Sequence, residues 1–386
     1  MVTAYHLSSK EMWRNRGRFF LFSLVIALIT VLVLFVAALA EGLGAGNREY
    51  LEKLNADLLL YQDTAKLSVA SSRLDRSRLV TVAAVEGVKA VGPIGFSSAS
   101  IPLGKEGQVL DISLIGVEPG QPGEPPALRG RGLLLRSASE AIIDRTVALE
   151  TGLQVGQWFT IRSIQGDKEE FHTLRVVGIS DSRKYSLRPS IFLPYVTWDK
   201  VRPQAEVSGG QGSLEANIIA VQLQSQEQIV AMRRLLQARV PRVEAVDRKT
   251  AYENTPGYSA QQSTLNTQRT FALLIGVLVI GGFFQIQTLQ KVAQIGMLKA
   301  IGTPNQVIAL AAIMQIVVIT ALGVVIGSLV SWMLSLSFPP NIPIIFTPGS
   351  TFTAVVSILL IGPAGGLVSI RYALRVEPLT ALGLAQ

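Results

Sequence analysis

Few side chains in this chain of 386 residues could carry out covalent or metal chemistry. The sequence contains no cysteine, which excludes disulfides, thiolate metal sites and cysteine nucleophiles. The two histidines, His6 and His172, lie far apart in the sequence, and a predicted membrane span separates them. A histidine-centred metal site or a Ser-His-Asp triad is therefore not expected.

Nucleotide hydrolysis is not expected from this chain either. A Walker A loop requires G-x-x-x-x-G-K-[ST], whereas Gly104 and Lys105 are followed by Glu106 and lack the upstream glycine. The net charge of +8 could suggest nucleic acid, but basic residues beside apolar runs are better explained by orientation in a bilayer. We predict a protein that is not an enzyme, holds no cofactor or metal, and binds no nucleic acid.

Glu41 is the acidic side chain whose position best fits a contact with a transported molecule. It follows an uncharged run of 22 residues, Phe19–Ala40, at the outer end of a predicted span. Most acids at such a position are interface residues in contact with water. Because a carboxylate at membrane depth is costly unless it is used, the alternative is that Glu41 faces a cleft and contacts a cargo.

The segment from Gln290 to Ile308, QKVAQIGMLKAIGTPNQVI, is the best candidate for a docking element. Val292, Ile295 and Leu298 form an apolar stripe at helical spacing, while Lys291, Gln294 and Lys299 fall mostly elsewhere. Gly302 followed by Pro304 ends this helix. Such a helix at a membrane face either joins two spans as a simple elbow or docks in lipid headgroups or a partner's groove.

Four apolar runs, in a chain that is 49% hydrophobic and 16% charged, predict four membrane-spanning helices. A cleaved signal peptide is the alternative for the first run, but that run exceeds the usual apolar length of about 7–15 residues. The predicted segments are a cytoplasmic amphipathic segment 1–18, spans 19–41, 269–289, 307–336 and 351–370, an extracytoplasmic domain 42–268, a cytoplasmic loop 290–306, an outer loop 337–350 and a cytoplasmic tail 371–386.

The basic residues of the short loops set the orientation of these spans. They are Arg14, Arg16 and Arg18, then Lys291 and Lys299, then Arg371 and Arg375. All seven flank the same side, which places both termini in the cytoplasm of an inner (plasma) membrane protein.

The large domain between the first two spans contains both strand and helix patterns. Glycines at 42, 44 and 46 loosen the exit from the first span, and 47–55 reads as a short helix. Strands are predicted near 57–62, 88–96, 109–117, 158–163, 174–179, 190–194 and 218–223, helices near 76–85 and 227–238, and a strand followed by a helix over 140–153. This mixture indicates an α+β fold.

Small residues recur at every fourth position in the last two spans. Gly323, Gly327 and Ser331 share one face of the third span, and Gly362 and Gly366 share one face of the fourth. Such spacing favours close helix approach in a packed or dimeric core, and the alternative is that these residues simply face lipid. Pro363 should kink the fourth span.

The loop segment resembles the cytoplasmic loop of the FtsX-like, MacB-type ABC permeases. Residues 294–303, QIGMLKAIGT, fit the family's form R/K-E-I-G-x-L-R/K-A-I-G-A/T, with Gln where Glu is common. The stretch EAIIDRTVALETGLQVGQWFTI resembles the family's extracytoplasmic domain, and RYALRVEPLTALG resembles its closing pattern. Within the family, the opening of the chain is most similar to the heme-exporter-type (HrtB-like) permeases.

This resemblance implies the permease subunit of an exporter that extrudes a hydrophobic or amphipathic cargo. A separate ATPase would supply ATP hydrolysis, and its contacts would fall on Val292, Ile295, Gly296, Leu298, Lys299 and Gly302. The other implied partners are a second copy of the chain, membrane lipid and a membrane-fusion adaptor. The alternative is an FtsX-type transmitter that regulates a cell-wall hydrolase without transport, and the size of the outer domain favours transport.

Overall fold

The computed structural model describes residues 10, 13–104, 107–166, 168–203, 215–256, 258–338 and 344–375. The chain divides into two compact units. One, which we call the helical unit, comprises Met1–Leu43 and Gln262–Gln386, and the other, the α+β domain, comprises Gly44–Gln261. Each is described by itself below.

The secondary structure follows the chain from one long helix through the α+β domain to the remaining long helices. In order, the elements are α1 (Arg16–Glu52), β1 (Leu58–Gln62), β2 (Leu74–Asp75), α2 (Arg76–Ala83), β3 (Val88–Pro102), β4 (Val109–Val117), β5 (Ala127–Gly130), β6 (Glu140–Asp144), α3 (Arg145–Thr151), β7 (Trp158–Gln165), β8 (Lys168–Ser180), β9 (Ser190–Pro194), α4 (Tyr195–Val201), β10 (Glu215–Ala216), β11 (Ile218–Leu223), α5 (Ile229–Arg239), β12 (Val243–Asp247), α6 (Arg248–Glu253), α7 (Tyr258–Gln290), α8 (Val292–Ala300), α9 (Asn305–Ser337) and α10 (Pro348–Arg375).

Within the described residues, four helices are long and apolar enough to cross a membrane. They are α1, α7, α9 and the Pro348–Gly366 part of α10. Each exceeds or approaches the roughly 20 residues that a helix needs to span the hydrocarbon core. The predicted architecture, four spans with a large α+β domain between the first and second, is confirmed.

The first span does not end where its apolar residues end. Although Gly42, Gly44 and Gly46 predict a loosened exit, α1 continues without a break to Glu52. Tertiary contacts explain the difference, because Tyr50 in its last turns is fully buried in the core of the α+β domain. Gly46 permits a close contact instead of a bend, since a Cβ atom there would lie 2.6 Å from Leu187 Cδ2.

The second span likewise begins before its apolar run. α7 starts at Tyr258, so the predicted boundary at residue 269 falls inside the helix. Its first turn is joined to the last turns of α1 by a hydrogen bond of 3.0 Å from Asn47 Nδ2 to Gln261 Oε1. Both helix extensions are rich in polar residues, so a prediction of spans from apolar runs does not include them.

The described part of the α+β domain contains a ten-stranded mixed sheet. Its order is β12-β1-β11-β3-β4-β9-β6-β8-β5, with β7 pairing with β3 and β8, and the short strands β10 and β2 pair separately. The β4–β9 and β6–β8 pairs are parallel, and the other pairs are antiparallel. The sheet confirms the predicted α+β fold, and β5 and β12 are strands that the apolar patterns did not predict.

The strand β1, LLLYQ, is apolar at successive positions because both of its faces are buried. Leu59 and Tyr61 lie in one hydrophobic cluster, and Leu58 and Leu60 lie in another. Because successive side chains of a strand point to opposite faces, a strand covered on both faces must be apolar throughout.

Asp144 joins three elements of the domain through a fully buried carboxylate. Its Oδ1 accepts a hydrogen bond of 2.8 Å from Val147 N and so caps α3, while its Oδ2 accepts one of 2.8 Å from Ser190 N at the start of β9. Burial raises the pKa of Asp144 to about 6, and these backbone donors only partly offset that effect.

Asp144→Asn should therefore destabilise the α+β domain. Asparagine has one acceptor oxygen, so one of the two N–H groups loses its partner, and a lost buried hydrogen bond costs about 1–3 kcal/mol. Urea unfolding of the full-length protein in detergent, followed by tryptophan fluorescence, measures the difference.

The difference in the free energy of unfolding between wild type and Asp144→Asn should also depend on pH. Because the pKa of Asp144 is raised from 3.8 to about 6, its contribution to stability is fully present below pH 3.8 and is lost as pH rises through 6. The gap between wild type and Asp144→Asn should narrow from pH 4 to pH 7. A gap that widens over this range would contradict the assignment.

Candidate functional site

The short helix α8, with Ile301 as its C-cap, is the candidate functional element, and we call it the loop helix. Among the predicted docking residues, Gly296 is buried and Val292, Ile295 and Leu298 are each half-buried within the helical unit. The predicted apolar stripe therefore faces the protein's own spans to a large extent. That the same stripe contacts a partner stays a prediction, and the half-burial leaves only part of its surface for such a contact.

A second apolar face of the loop helix is exposed. Met297 is 54% exposed and Ile301 is 78% exposed. At about 100° per residue, Gln294, Met297 and Ile301 share one side of the helix, and all three are exposed. This outer face, two apolar side chains beside Gln294, is the surface available to a partner.

Two lysines fasten the loop helix to different spans. Lys291, its N-cap, places Nζ 3.2 Å from Gln315 Oε1 on α9 and 5.6 Å from the centroid of the Phe19 ring on α1. Lys299 Nζ donates to the carbonyl oxygen of Leu374, at 2.7 Å, in the last turn of α10. Both residues were predicted for their charge, and the structure adds that they hold the helix in place.

Gly302 ends the loop helix by a Schellman motif. Thr303 N donates to Leu298 O and Gly302 N donates to Lys299 O, at 3.0 and 2.9 Å. Gly302 has φ +90°, a conformation that favours glycine. Its role is thus to fix the position at which Ile301 is presented.

The predicted small residues pack helices of the same chain against one another. A Cβ atom at Gly323 would lie 2.6 Å from Ile26 Cβ, and one at Gly327 would lie 2.6 Å from Thr30 Cβ, so α9 closely approaches α1 at both positions. Ser331 is buried and donates to Gly327 O at 2.8 Å. These contacts support the packed-core interpretation, within one copy of the chain.

The fourth span, α10, also packs closely on a neighbouring helix at its glycines. Gly362 packs on Thr320, and Gly366 packs on Ile316, both on α9. A further contact, missed in the sequence, joins α7 to α10, where a Cβ atom at Gly281 would lie 2.9 Å from Gly365 O. The adjacent pairs Gly281-Gly282 and Gly365-Gly366 are the signal that could have revealed it.

The remaining predicted residues have less distinctive surroundings. Glu41 is half-buried in the interior of α1, since the helix continues to Glu52. Pro363 lies inside α10. The basic residues Arg14, Arg16, Arg18 and Arg371 are exposed, whereas the side chain of Arg375 lies outside the described part of the chain.

Comparison with known proteins gives matches along nearly the whole chain. Residues 19–239 match the model of the MacB-like periplasmic core domain, and residues 270–378 match that of the FtsX-like permease C-terminal region. A putative hemin transport system permease protein HrtB of Staphylococcus haemolyticus is 24% identical over 378 residues, which cover 98% of this chain and 99% of that protein.

Two further similarities have lower or partial coverage. An uncharacterized ABC transporter permease of Mycobacterium tuberculosis is 23% identical over 376 residues, which cover 96% of this chain and 97% of that protein. The crystal structure of the periplasmic region of MacB from Actinobacillus actinomycetemcomitans aligns with a TM-score of 0.36 at 16% identity, covering 53% of this chain and 95% of that structure.

Gly327→Val should destabilise the helical unit. A Cβ atom at residue 327 would lie 2.6 Å from Thr30 Cβ and 2.7 Å from Ala27 O, and overpacking of this kind costs about 1–3 kcal/mol. A lower thermal midpoint in detergent is the expected result. Gly282→Val is the matched control, because a Cβ atom there meets nothing within 4 Å, and equal midpoints for the two variants would contradict the packing.

Proposed function

Because this chain belongs to the FtsX-like, MacB-type family of ABC transporter permeases, we propose that it is the membrane subunit of an ATP-driven exporter of a hydrophobic or amphipathic cargo. A separate ATPase subunit hydrolyses ATP, and this chain couples the resulting conformational change to movement of the cargo. The working assembly is two copies of the chain with two copies of the ATPase, in the inner (plasma) membrane.

The outer face of the loop helix is the observation that carries this proposal. Met297 and Ile301 expose apolar surface on a helix that Lys291 and Lys299 bond to α9 and α10. A simple elbow between two spans has no need of an exposed apolar pair, whereas an amphipathic helix that enters a groove needs both the pair and a firm base. The ATPase is the partner proposed to cover this face.

The orientation proposed for the spans is consistent with this partner. Arg14 precedes α1, and Arg16 and Arg18 lie in its first turn. Lys291 and Lys299 lie at the two ends of the loop helix, and Arg371 lies near the end of α10. Basic residues concentrate in short cytoplasmic loops. The loop helix and both termini are therefore proposed to face the cytoplasm, where ATP is available.

The cargo is proposed to be an amphipathic molecule, and hemin is the first compound to test. Relatives that share the full length of this chain are described as putative hemin transport permeases. Glu41, a half-buried carboxylate where the apolar part of α1 ends, is the side chain proposed to meet the cargo, because an acid at this depth is costly unless it is used.

Disrupting the outer face should detach the ATPase. Burying a side chain such as Met297 or Ile301 is worth roughly 1.5–3 kcal/mol, so Met297→Glu or Ile301→Glu should weaken the complex at least about tenfold at 1.4 kcal/mol per tenfold. Co-purification of the ATPase and its affinity for the detergent-solubilised protein measure this.

Gln294→Glu is the matched control for these variants. It adds the same negative charge to the same face without removing an apolar side chain, and Glu is common at this position in the family. Its complex should be as tight as that of the wild type. If Met297→Glu and Ile301→Glu also bind as tightly, the loop helix is an elbow and the proposed docking face is wrong.

Export should require both a cargo and Glu41. ATP hydrolysis by the complex reconstituted in liposomes should rise when hemin is added, and Glu41→Gln should reduce that rise while the complex remains assembled. Stimulation by a cell-wall hydrolase instead of by hemin or another amphiphile would favour the alternative, a transmitter that does not transport. Unchanged stimulation in Glu41→Gln would remove this residue from the cargo path.

A further inference from the structure

A groove of about 940 Å³ lies at one end of the large sheet in the α+β domain. Leu128 and Arg129 of the strand β5 form one wall. The helix α3 and the turn that follows it form the other, with Arg145, Leu149 and Val155. We call this the edge groove. None of these residues takes part in the proposed export mechanism.

The first notable property of the edge groove is that β5 is the last strand of the sheet. Among the described strands, β5 pairs with β8 alone, so its other edge has no strand beside it. An unpaired edge presents backbone N–H and C=O groups in a row, and proteins usually cover or shorten such an edge. Here Leu128, Arg129 and Gly130 are all exposed.

The second property is exposed apolar surface on both walls. Leu149 is 74% exposed, Leu128 is 66% exposed and Val155 is 41% exposed. A single exposed leucine on a protein surface needs no explanation, but several around one concave groove are typical of a binding site.

The third property is positive charge without a partner. Within the described residues, Arg129 and Arg145 form no ion pair or hydrogen bond through their side chains, whereas the nearby Arg131 pairs with Glu140. Charge complementarity therefore selects an acidic occupant. A second copy of this chain is disfavoured, because edge-to-edge pairing would bring the arginines of two copies together.

From these three properties we propose that the edge groove binds an extended, acidic segment of a partner protein. The segment adds a strand to β5 through its backbone, places apolar side chains among Leu128, Leu149 and Val155, and directs carboxylates to Arg129 and Arg145. Strand addition at a free sheet edge gains affinity from main-chain hydrogen bonds and specificity from alternate side chains. The proposal does not rest on the export function.

A synthetic peptide tests the chemistry directly. The probe is a fluorescent octapeptide of alternating valine and glutamate, titrated with the full-length protein in nanodiscs of neutral lipid, with polarisation as the readout. We expect saturable binding. The lysine-valine counterpart should not bind, and N-methylation of alternate residues of the acidic peptide should abolish binding, because it removes strand hydrogen bonds.

Variants locate the site. Arg129→Glu combined with Arg145→Glu should weaken acidic-peptide binding at least about tenfold, since two exposed ion pairs contribute about 0.2–1 kcal/mol each and are replaced by repulsion. Arg234→Glu, on the exposed side of α5, is the matched control and should bind as the wild type does. Leu149→Gln tests the apolar wall and should also weaken binding, whereas Val230→Gln on α5 should not.

Several results would overturn the proposal. They are the absence of acidic-peptide binding, equal binding of the N-methylated peptide, and equal loss in the Arg234→Glu control. Vesicles containing phosphatidylglycerol that bind the protein through Arg129 and Arg145, in place of the peptide, would assign the groove to lipid headgroups and would equally overturn it.

Discussion

Close approach of helix backbones at glycine is the contact on which the helical unit depends. In a bilayer, lipid tails are as apolar as the side chains of the spans, so helices associate through van der Waals packing rather than by exclusion from water. Gly323 and Gly327 bring α9 against α1, Gly362 and Gly366 bring α10 against α9, and Gly281 meets Gly365 between α7 and α10. Each long helix of the unit therefore has at least one glycine contact that fixes its neighbour.

The loop helix depends on that packing, because its anchors sit on the packed helices. Lys291 reaches Gln315 on α9 and Lys299 reaches Leu374 on α10. Its half-buried stripe, which includes Ile295 and Leu298, turns towards the same unit. What is left for a partner is the opposite side, with Met297 and Ile301. One apolar face of this helix thus packs on the helical unit, and the other is exposed to a partner.

The sequence predicts the features that are determined locally. Runs of about 20 apolar residues require four spans, and Gly302 with Pro304 requires an end to the loop helix. Features that depend on distant residues were not predictable. Val292, Ile295 and Leu298 form one apolar face and Met297 and Ile301 another, and spacing alone does not say which one the spans cover. The continuation of α1 to Glu52 depends on the burial of Tyr50 in the core of the α+β domain, and the contact of Gly281 with Gly365 depends on the register between two helices.

The bond between Lys299 and Leu374 makes the end of the fourth span responsive to the loop helix. The last carbonyls of a helix have no partner within it, and its C-terminal end carries partial negative charge. An ammonium group from another helix satisfies both needs at once, at 2.7 Å. If the loop helix moved away, the carbonyl oxygen of Leu374 would lose its donor, and the Lys299 ammonium group would lose its contact with the negative end of the α10 dipole. The two helices are therefore expected to shift together. A displacement of α8 would therefore act directly on the C-terminal end of α10, through the bond from Lys299 to Leu374.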